Sequence, residues 1–279
     1  MGALRVSTRS GAVPAVVAAG LAVAVSGGSW AGTVARYRFE EGEGQEFAGG
    51  IEAVRDSSRN DLHGTCWSAQ GAAYTAALAP DGDAALRFNG RDDWVFVPDC
   101  PKLQLTKSLT TEAWVNIRAL QTNGAVNFIL FRGDNRPGWD AFWLAVNPHT
   151  RELVFGIEGP GKPPGPPPMV KTRFRYLGQT IHVAGVLDDA DGFLGLFVNG
   201  ELVDSTRTPT RPWRTLDPRE RPGLGIGGYF AELPGSFTID GAIDEVRITD
   251  RALTPQQFLC APRSLADEPE RAAWWWGLP

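Results

Sequence analysis

Two glutamates six residues apart, Glu152 and Glu158, are the nearest this chain comes to a catalytic carboxylate pair. In an extended segment they share a face, but six residues of strand set them about 20 Å apart. Acid–base or nucleophilic cleavage of a glycosidic bond needs carboxylates roughly 5–10 Å apart, so the pair argues against that chemistry. Asp244 and Glu245 are adjacent and fall on opposite faces of a regular strand. His63, His149 and His182 each lack a partner at triad or metal spacing, and no serine nucleophile elbow is present. Gly223-Leu-Gly-Ile-Gly-Gly228 has the outline of a dinucleotide fingerprint but follows Pro222 and leads into no helical pattern, so it reads as a glycine-rich strand. Asp188-Asp-Ala-Asp-Gly192 lacks the spacing of a calcium-hand loop and reads as a hairpin turn. These residue types favour binding over catalysis, and the chain is expected not to be an enzyme.

Sugar rings stack on flat π faces while polar side chains bond their hydroxyls. Arg132-Gly-Asp-Asn-Arg-Pro-Gly-Trp-Asp-Ala-Phe-Trp143 is the segment best suited to that task. Trp139 and Asp140 stand at its loop end; Phe142 and Trp143 alternate on the strand that follows, so one of them faces the core. Trp213 and Tyr229 are further rim candidates. Trp139, Asp140, Trp143, Trp213 and Tyr229 are therefore the expected ligand contacts, with core filling as the competing role for each ring.

Asp244 raises a separate question. Within Gly241–Thr249, alternation sets it on the face of Val246 and Ile248. A carboxylate turned inward needs a partner: either a hard cation shared with backbone carbonyls, which predicts a structural Ca2+ site, or hydrogen bonds from turn amides.

These groups must be held by strands. Short β-rich runs separated by Gly, Pro, Asn and Asp predict an all-β, two-sheet antiparallel sandwich. The predicted strands are 35–40, 64–67, 84–88, 94–97, 109–117, 128–132, 141–146, 153–157, 180–187, 193–198, 201–204, 223–227 and 241–249. Asn199-Gly200 signals a tight hairpin, and Thr254-Pro255 opens a single helical turn. Tyr37 and Phe39 alternate with Arg36, Arg38 and Glu40, so antiparallel pairing of the first and last strands would bury the aromatics and set outer charges against each other. The proline-rich run 159–168 reads as a surface loop. Trp274-Trp275-Trp276 in the tail must either fold back on the sandwich or meet a partner.

Arg5, Arg9, an apolar run from Ala12 to Val25 and Ser29-Trp30-Ala31 read as a signal peptide over 1–31. The expected domain then spans 32–262, followed by a tail over 263–279. Roughly 250 residues remain after cleavage, the size of one large sandwich. The formal net charge of −5 becomes more negative once Arg5 and Arg9 are removed. Scattered basic residues give no footprint for nucleic acid or an anionic membrane. The expected location is outside the cytoplasm, secreted or periplasmic, with no membrane span in the mature chain. Cys66, Cys100 and Cys260 suit one disulfide and one spare thiol in such a compartment. Any pairing is open, with Cys66–Cys100 preferred because both flank the strand ending at Val97.

Several stretches carry a family resemblance. Gly241-Ala-Ile-Asp-Glu-Val-Arg-Ile248 followed by Arg251-Ala-Leu-Thr-Pro255 is similar to the end of a laminin G-like (LamG-like) jelly roll of the concanavalin A-like lectin/glucanase superfamily. Arg36-Tyr-Arg-Phe-Glu-Glu-Gly42, Asp56-Ser-Ser-Arg-Asn-Asp-Leu-His-Gly-Thr65, Ala85–Pro98, Leu109–Val115, His182-Val-Ala184 and Leu196–Val203 follow that family's order. The resemblance implies a jelly roll over about residues 35–260, acting as a secreted binding module for a glycan or an extracellular protein. Glycoside hydrolases and lyases of the same superfamily are an alternative, but their Glu-x-Asp-x-x-Glu arrangement is missing here. The resemblance also implies a cation between the first strand, an early loop and the last strand. Asp244 would give the carboxylate and carbonyls near Glu41 and Gly90 the rest. Asp56 is a second candidate ligand, with an Asx-turn as its other reading.

Overall fold

The computed structural model describes residues 32–44, 46–67, 72–160, 165–229 and 236–261. The signal-peptide expectation for 1–31 and the tryptophans 274–276 lie outside the described residues. Seventeen strands are described: β1 (Thr33–Tyr37), β2 (Phe47–Ala48), β3 (Gly50–Val54), β4 (Gly64–Trp67), β5 (Ala72–Ala76), β6 (Ala84–Asn89), β7 (Trp94–Pro98), β8 (Leu109–Ala119), β9 (Asn127–Gly133), β10 (Asp140–Asn147), β11 (Glu152–Ile157), β12 (Met169–Arg173), β13 (Thr180–Asp188), β14 (Phe193–Val198), β15 (Glu201–Arg207), β16 (Gly223–Ile226) and β17 (Asp240–Thr249). Only three short 3-10 turns accompany them among the described residues.

The strands form two antiparallel sheets. One runs β15-β14-β13-β8-β17-β6-β5-β2, with β1 also paired to β17; the other runs β12-β11-β10-β9-β16-β7-β4-β3. Alternation fills the space between them: Ala113, Val115 and Ile117 of β8 meet Phe142, Leu144 and Val146 of β10 in one apolar core. At one side of the sandwich β2 and β3 follow each other directly, so the chain steps from the edge of one sheet to the edge of the other. At the other side the Lys171 N–H of β12 donates to the Asp204 carboxylate of β15 at 2.8 Å. Both pairs of open edges are thereby placed against each other.

The first and last strands pair antiparallel, with Tyr37 facing Val246 and Arg36 facing Arg247. Tyr37 and Phe39 are fully buried, and both Arg36 and Arg38 reach the Glu245 carboxylate. Asn199 and Gly200 take φ of 51° and 81° between β14 and β15, the left-handed pair a two-residue hairpin requires. Residues 189–192 turn β13 into β14, and Pro255–Gln257 forms the single turn, the Gln257 side chain accepting the Thr254 N–H at 3.0 Å.

All three thiols are free. Cys66 points inward opposite Val95, whereas Cys100 lies five residues farther along, roughly 15 Å at strand spacing. A bridge needs Cα atoms within about 7 Å, so the preferred Cys66–Cys100 pairing does not form. Burial pushes the Cys66 thiol up to about 11.

Candidate functional site

The outer face of the eight-stranded sheet is paved with aromatic rings, and strand register shows why. Directly opposed residues in antiparallel strands point to the same side. One row therefore crosses the sheet through Met169, Gly156, Trp143, Phe131, Gly225, Phe96 and Thr65. Beside it runs a second row that includes Lys171, Val154, Ala145 and Phe128, and farther across the sheet Trp94 and Trp67. The glycines leave room for rings to lie flat. A Cβ on Gly156 would run into the Trp143 ring, and one on Gly223 would run into Phe96.

The chain after β16 then folds back over this layer. Tyr229 packs on Phe131 with centroids 4.3 Å apart and edge-on to Trp94 at 6.0 Å. Phe237 stacks on Phe128 at 5.7 Å. Trp143 and Tyr229, expected at a ligand rim, are consequently 7% and 4% exposed. The Tyr229 hydroxyl donates to the Arg221 carbonyl at 2.8 Å, and its pKa is raised, first by burial and then by Asp134, Asp140 and Asp99. Both side chains serve packing. Trp67, by contrast, is 51% exposed and stacks on Trp94 with centroids 5.9 Å apart and planes 18° apart.

At the end of the sheet where β10 begins, Trp139 and Trp213, each expected to contact a ligand, lie against each other. Their rings stack at 4.0 Å and 20°, and the Arg136 guanidinium sits 3.7 Å from the Trp139 centroid. Both faces of Trp139 are thus occupied, one by an indole and one by a cation, which removes it as a sugar platform. Arg136 is steered there by Asp134. Trp213 is tied down by its indole N–H, which donates to the Gly138 carbonyl at 3.0 Å. Beneath it the fully buried Arg132 forks onto Asp99 at 2.9 and 3.1 Å and donates to the Trp213 and Arg214 carbonyls. Asp140 is half-buried at the head of β10, opposite Gly133.

Asp244 is buried, yet on the other side of its sheet from the expected one. Ile243 faces Val115 and Asp244 faces Trp114, but the register then slips, and Arg247 rather than Val246 faces Glu112. Glu245 is the extra residue, at φ 50°. This bulge resets the alternation, so Val246 and Ile248 point inward while Asp244 lies on the outer face. The segment following β5 covers it: the Leu78 and Ala79 N–H groups both donate to Oδ2 at 2.9 Å. Oδ1 has no hydrogen-bond partner among the described residues. Burial raises the Asp244 pKa to about 6.

Two of the groups expected to share a cation with Asp244, Gly90 and Asp56, are engaged elsewhere. Gly90 follows Asn89, which faces Asp240, four residues or roughly 13 Å along β17. All the acceptor capacity of Asp56 is directed at Arg36 N–H, Ser58 N–H, Ser58 Oγ–H and Leu62 N–H, at 2.8 to 3.0 Å, so the Asx-turn reading describes it. Glu41 accepts from the Arg55 N–H at 3.0 Å and lines an open hollow with Glu40, Glu43 and Asp83. Burial pushes the Glu40 and Glu41 carboxyls up. Among the described residues no group of three His, Cys, Asp or Glu side chains is arranged to hold a metal ion. Gly90 and Asp56 therefore do not join Asp244, whose Oδ2 takes the two turn amides.

A buried ionic cluster on the outer face of the larger sheet went unforeseen. Glu112 and His182 are wholly buried and 2.8 Å apart, and Arg247 donates to Glu112 at 2.7 Å. The Leu259 N–H also donates to Glu112, at 2.8 Å, and Arg247 to the Gln257 carbonyl. The cluster fastens residues 252–261 across the sheet, with Phe258 packed on Phe197. Burial pushes the Glu112 carboxyl up, but the His182 hydrogen bond and the Arg247 charge outweigh it and hold it below the usual range. The visible signal was Glu112 alternating with apolar residues in β8. His63 and His149 play local roles, His63 accepting the Asp56 N–H at 3.0 Å and His149 lying 3.0 Å from the Gly124 carbonyl.

Solved structures with a similar fold include two binding domains and one domain of an extracellular arabinanase. The binding domain of Paraclostridial mosquitocidal protein 1 matches with a TM-score of 0.58 at 15% identity, over 82% of this chain and 51% of that one. Domain 4 of AbnA, a GH43 extracellular arabinanase from Geobacillus stearothermophilus solved with arabinotriose, matches with 0.55 at 21%, over 81% and 95%. The binding domain of botulinum neurotoxin DC, solved with SialylT, matches with 0.56 at 11%, over 82% and 50%. This chain spans about half the length of the two toxin domains, and at these identities the likeness shows the fold alone. No curated protein matches it significantly. The sequence model Laminin_G_3 matches residues 89–258, a span that includes β8, β14 and β17, and the chain belongs to that family of the concanavalin A-like lectin/glucanases superfamily.

Proposed function

We propose that this chain is an exported, non-catalytic module that binds carbohydrate through the aromatic outer face of its eight-stranded sheet. The observation that carries the reading is the half-exposed Trp67 stacked on Trp94 at the open end of a continuous aromatic layer. A flat, held indole is the surface a sugar ring stacks on. The arabinotriose and SialylT complexes of structurally similar domains add support at the level of the fold. Catalysis is disfavoured because Glu152 and Glu158 stand at opposite ends of β11, Glu152 engaged by Lys171 and Thr150. Export rests on the Arg5, Arg9 and Ala12–Val25 pattern.

A protein-interaction module is the second reading, favoured by Phe47 and Ile51, which are 56% and 87% exposed on the edge strands β2 and β3. The two are separated by presenting residues 32–279 to a glycan array. Saturable binding to any glycan class supports the first reading. A folded chain, verified by circular dichroism, that binds none overturns it.

A further inference from the structure

We infer that Trp67 and Trp94 form the sugar-contacting subsite of this face and that it selects neutral over anionic glycans. This rests on the carbohydrate-binding reading above. Trp67 and Trp94 are cross-strand neighbours on β4 and β7, so the sheet itself fixes their spacing. Trp94 is wedged by Phe96 at 5.7 Å and Tyr229 at 6.0 Å, both edge-on. Its plane is therefore set before a ligand arrives, and Trp67 lies 18° from that plane. Little ordering entropy is lost when a ring docks on such a surface. Thr65, next to Phe96 on the same face, adds a hydroxyl within the row.

Charge decides the ligand class. Among the residues placed in the two aromatic rows by register, Lys171 alone is charged. It stands on β12, six strands from Trp67 and about 29 Å away at inter-strand spacing, and is paired with Glu152. The residues leading into Trp94 are the exposed Arg91 and Asp92 and the buried Asp93, which accepts the Asn89 N–H, and the exposed Glu52 stands on the flanking strand β3. Recognition of a carboxylate or sulfate relies on an arginine fork or an equivalent cation. This face supplies aromatic planes instead, and the one cation in that flank, Arg91, is outnumbered by the exposed Asp92 and Glu52, which suits a neutral sugar presenting an apolar ring face.

The test is affinity electrophoresis and calorimetry of residues 32–279 against arabinan, galactan, xylan and β-glucan as neutral probes, with polygalacturonate, heparin and sialyllactose as anionic ones. Binding confined to a neutral glycan is expected. Trp67→Ala should weaken it about tenfold or more, the cost of removing a tryptophan anchor, with Trp67→Phe recovering part of the loss. Leu202→Ala, exposed on the other sheet, should bind as the parent does. Neutral binding that survives Trp67→Ala with unchanged affinity overturns the subsite while leaving the carbohydrate reading in place. Binding confined to anionic probes overturns the selectivity. A folded chain that binds none of the probes overturns the reading beneath both.

Discussion

Replacing Asp244 by asparagine should make the protein more stable at pH 8 and leave it nearly unchanged at pH 3, below both the folded and the unfolded pKa. The carboxylate is fully buried, its Oδ2 accepts two N–H groups and, among the described residues, its Oδ1 accepts none. Burial lifts its pKa from 3.8 to about 6. The folded state therefore binds this proton more tightly than the unfolded chain does. Between about pH 4 and 6 the folded form holds more protons, so stability falls as pH rises through that window. A rise of about two pKa units corresponds to roughly 3 kcal/mol at 1.36 kcal/mol per unit, all of it opposing folding above pH 6. The substituted amide would keep an oxygen for the Leu78 and Ala79 N–H groups and carry no charge. A change of 1 kcal/mol moves the melting temperature of a domain this size by about 2–4 °C, so the variant should melt roughly 6–12 °C above the parent at pH 8. Glu40 and Glu41 also bear raised pKa values, which is why the variant-minus-parent difference, not the parent profile, is the quantity to measure by calorimetry. Equal melting curves at pH 8 would refute the argument. So would a parent melting temperature that climbs with added calcium at pH 8 and does not in Asp244→Asn, because the carboxylate would then belong to a cation instead of two amides.

Three further substitutions probe the packing. Gly156→Ala drives a methyl into the buried Trp143 ring; such overpacking costs about 1–3 kcal/mol, seen as a lower melting temperature with an altered near-ultraviolet spectrum. Glu112→Ala leaves Arg247 and His182 without their carboxylate, a loss of about 3–5 kcal/mol for a broken buried pair, and limited proteolysis should then cut within 252–261 before the rest of the fold. Because the Glu112 pKa is held low, its contribution is present above the ordinary carboxylate range and is lost as pH falls through the folded value, so acid should expose the same cleavage in the parent. Arg132→Met strands Asp99 and frees the Trp213 carbonyl; indole fluorescence should shift as the Trp139–Trp213 stack loosens.

Much of the sandwich was legible because strong alternation and good strand formers coincide. Gly64–Trp67 and Phe193–Val198 were bounded correctly at both ends, and Asn199-Gly200 needed only backbone sterics to be read as a hairpin. Four strands were missed for a common reason. Phe47–Ala48 and Gly50–Val54 are interrupted by glycine, Ala72–Ala76 is mostly alanine, and Met169–Arg173 is polar on an edge. Each is extended because a neighbour offers a ladder, not because its own residues prefer it. The site was harder to read. Whether Trp143, Tyr229 or Trp67 is open depends on where the chain after β16 folds back, and the Trp67–Trp94 pair exists only once β4 and β7 are in register. Nothing local to residue 67 carries that information.

The misplacement of Asp244 shows how a short pattern can hide its own geometry. Regular alternation through Ile243-Asp-Glu-Val-Arg-Ile248 would force a choice: with Ile243 inward, Val246 and Ile248 would follow Asp244 to the outer face and Glu245 would enter the core without a partner. One extra residue at Glu245 removes the conflict. Ile243, Val246 and Ile248 all reach the core, and the three charged positions among them each find a separate partner. Asp244 takes the Leu78 and Ala79 amides, Glu245 takes Arg36 and Arg38, and Arg247 takes Glu112. A positive φ at a glutamate costs of order 1–3 kcal/mol. That cost is set against two arginine contacts and the burial of Val246 and Ile248, each side chain worth roughly 1.5–3 kcal/mol, so the bulged strand wins by a margin that no single partner has to supply.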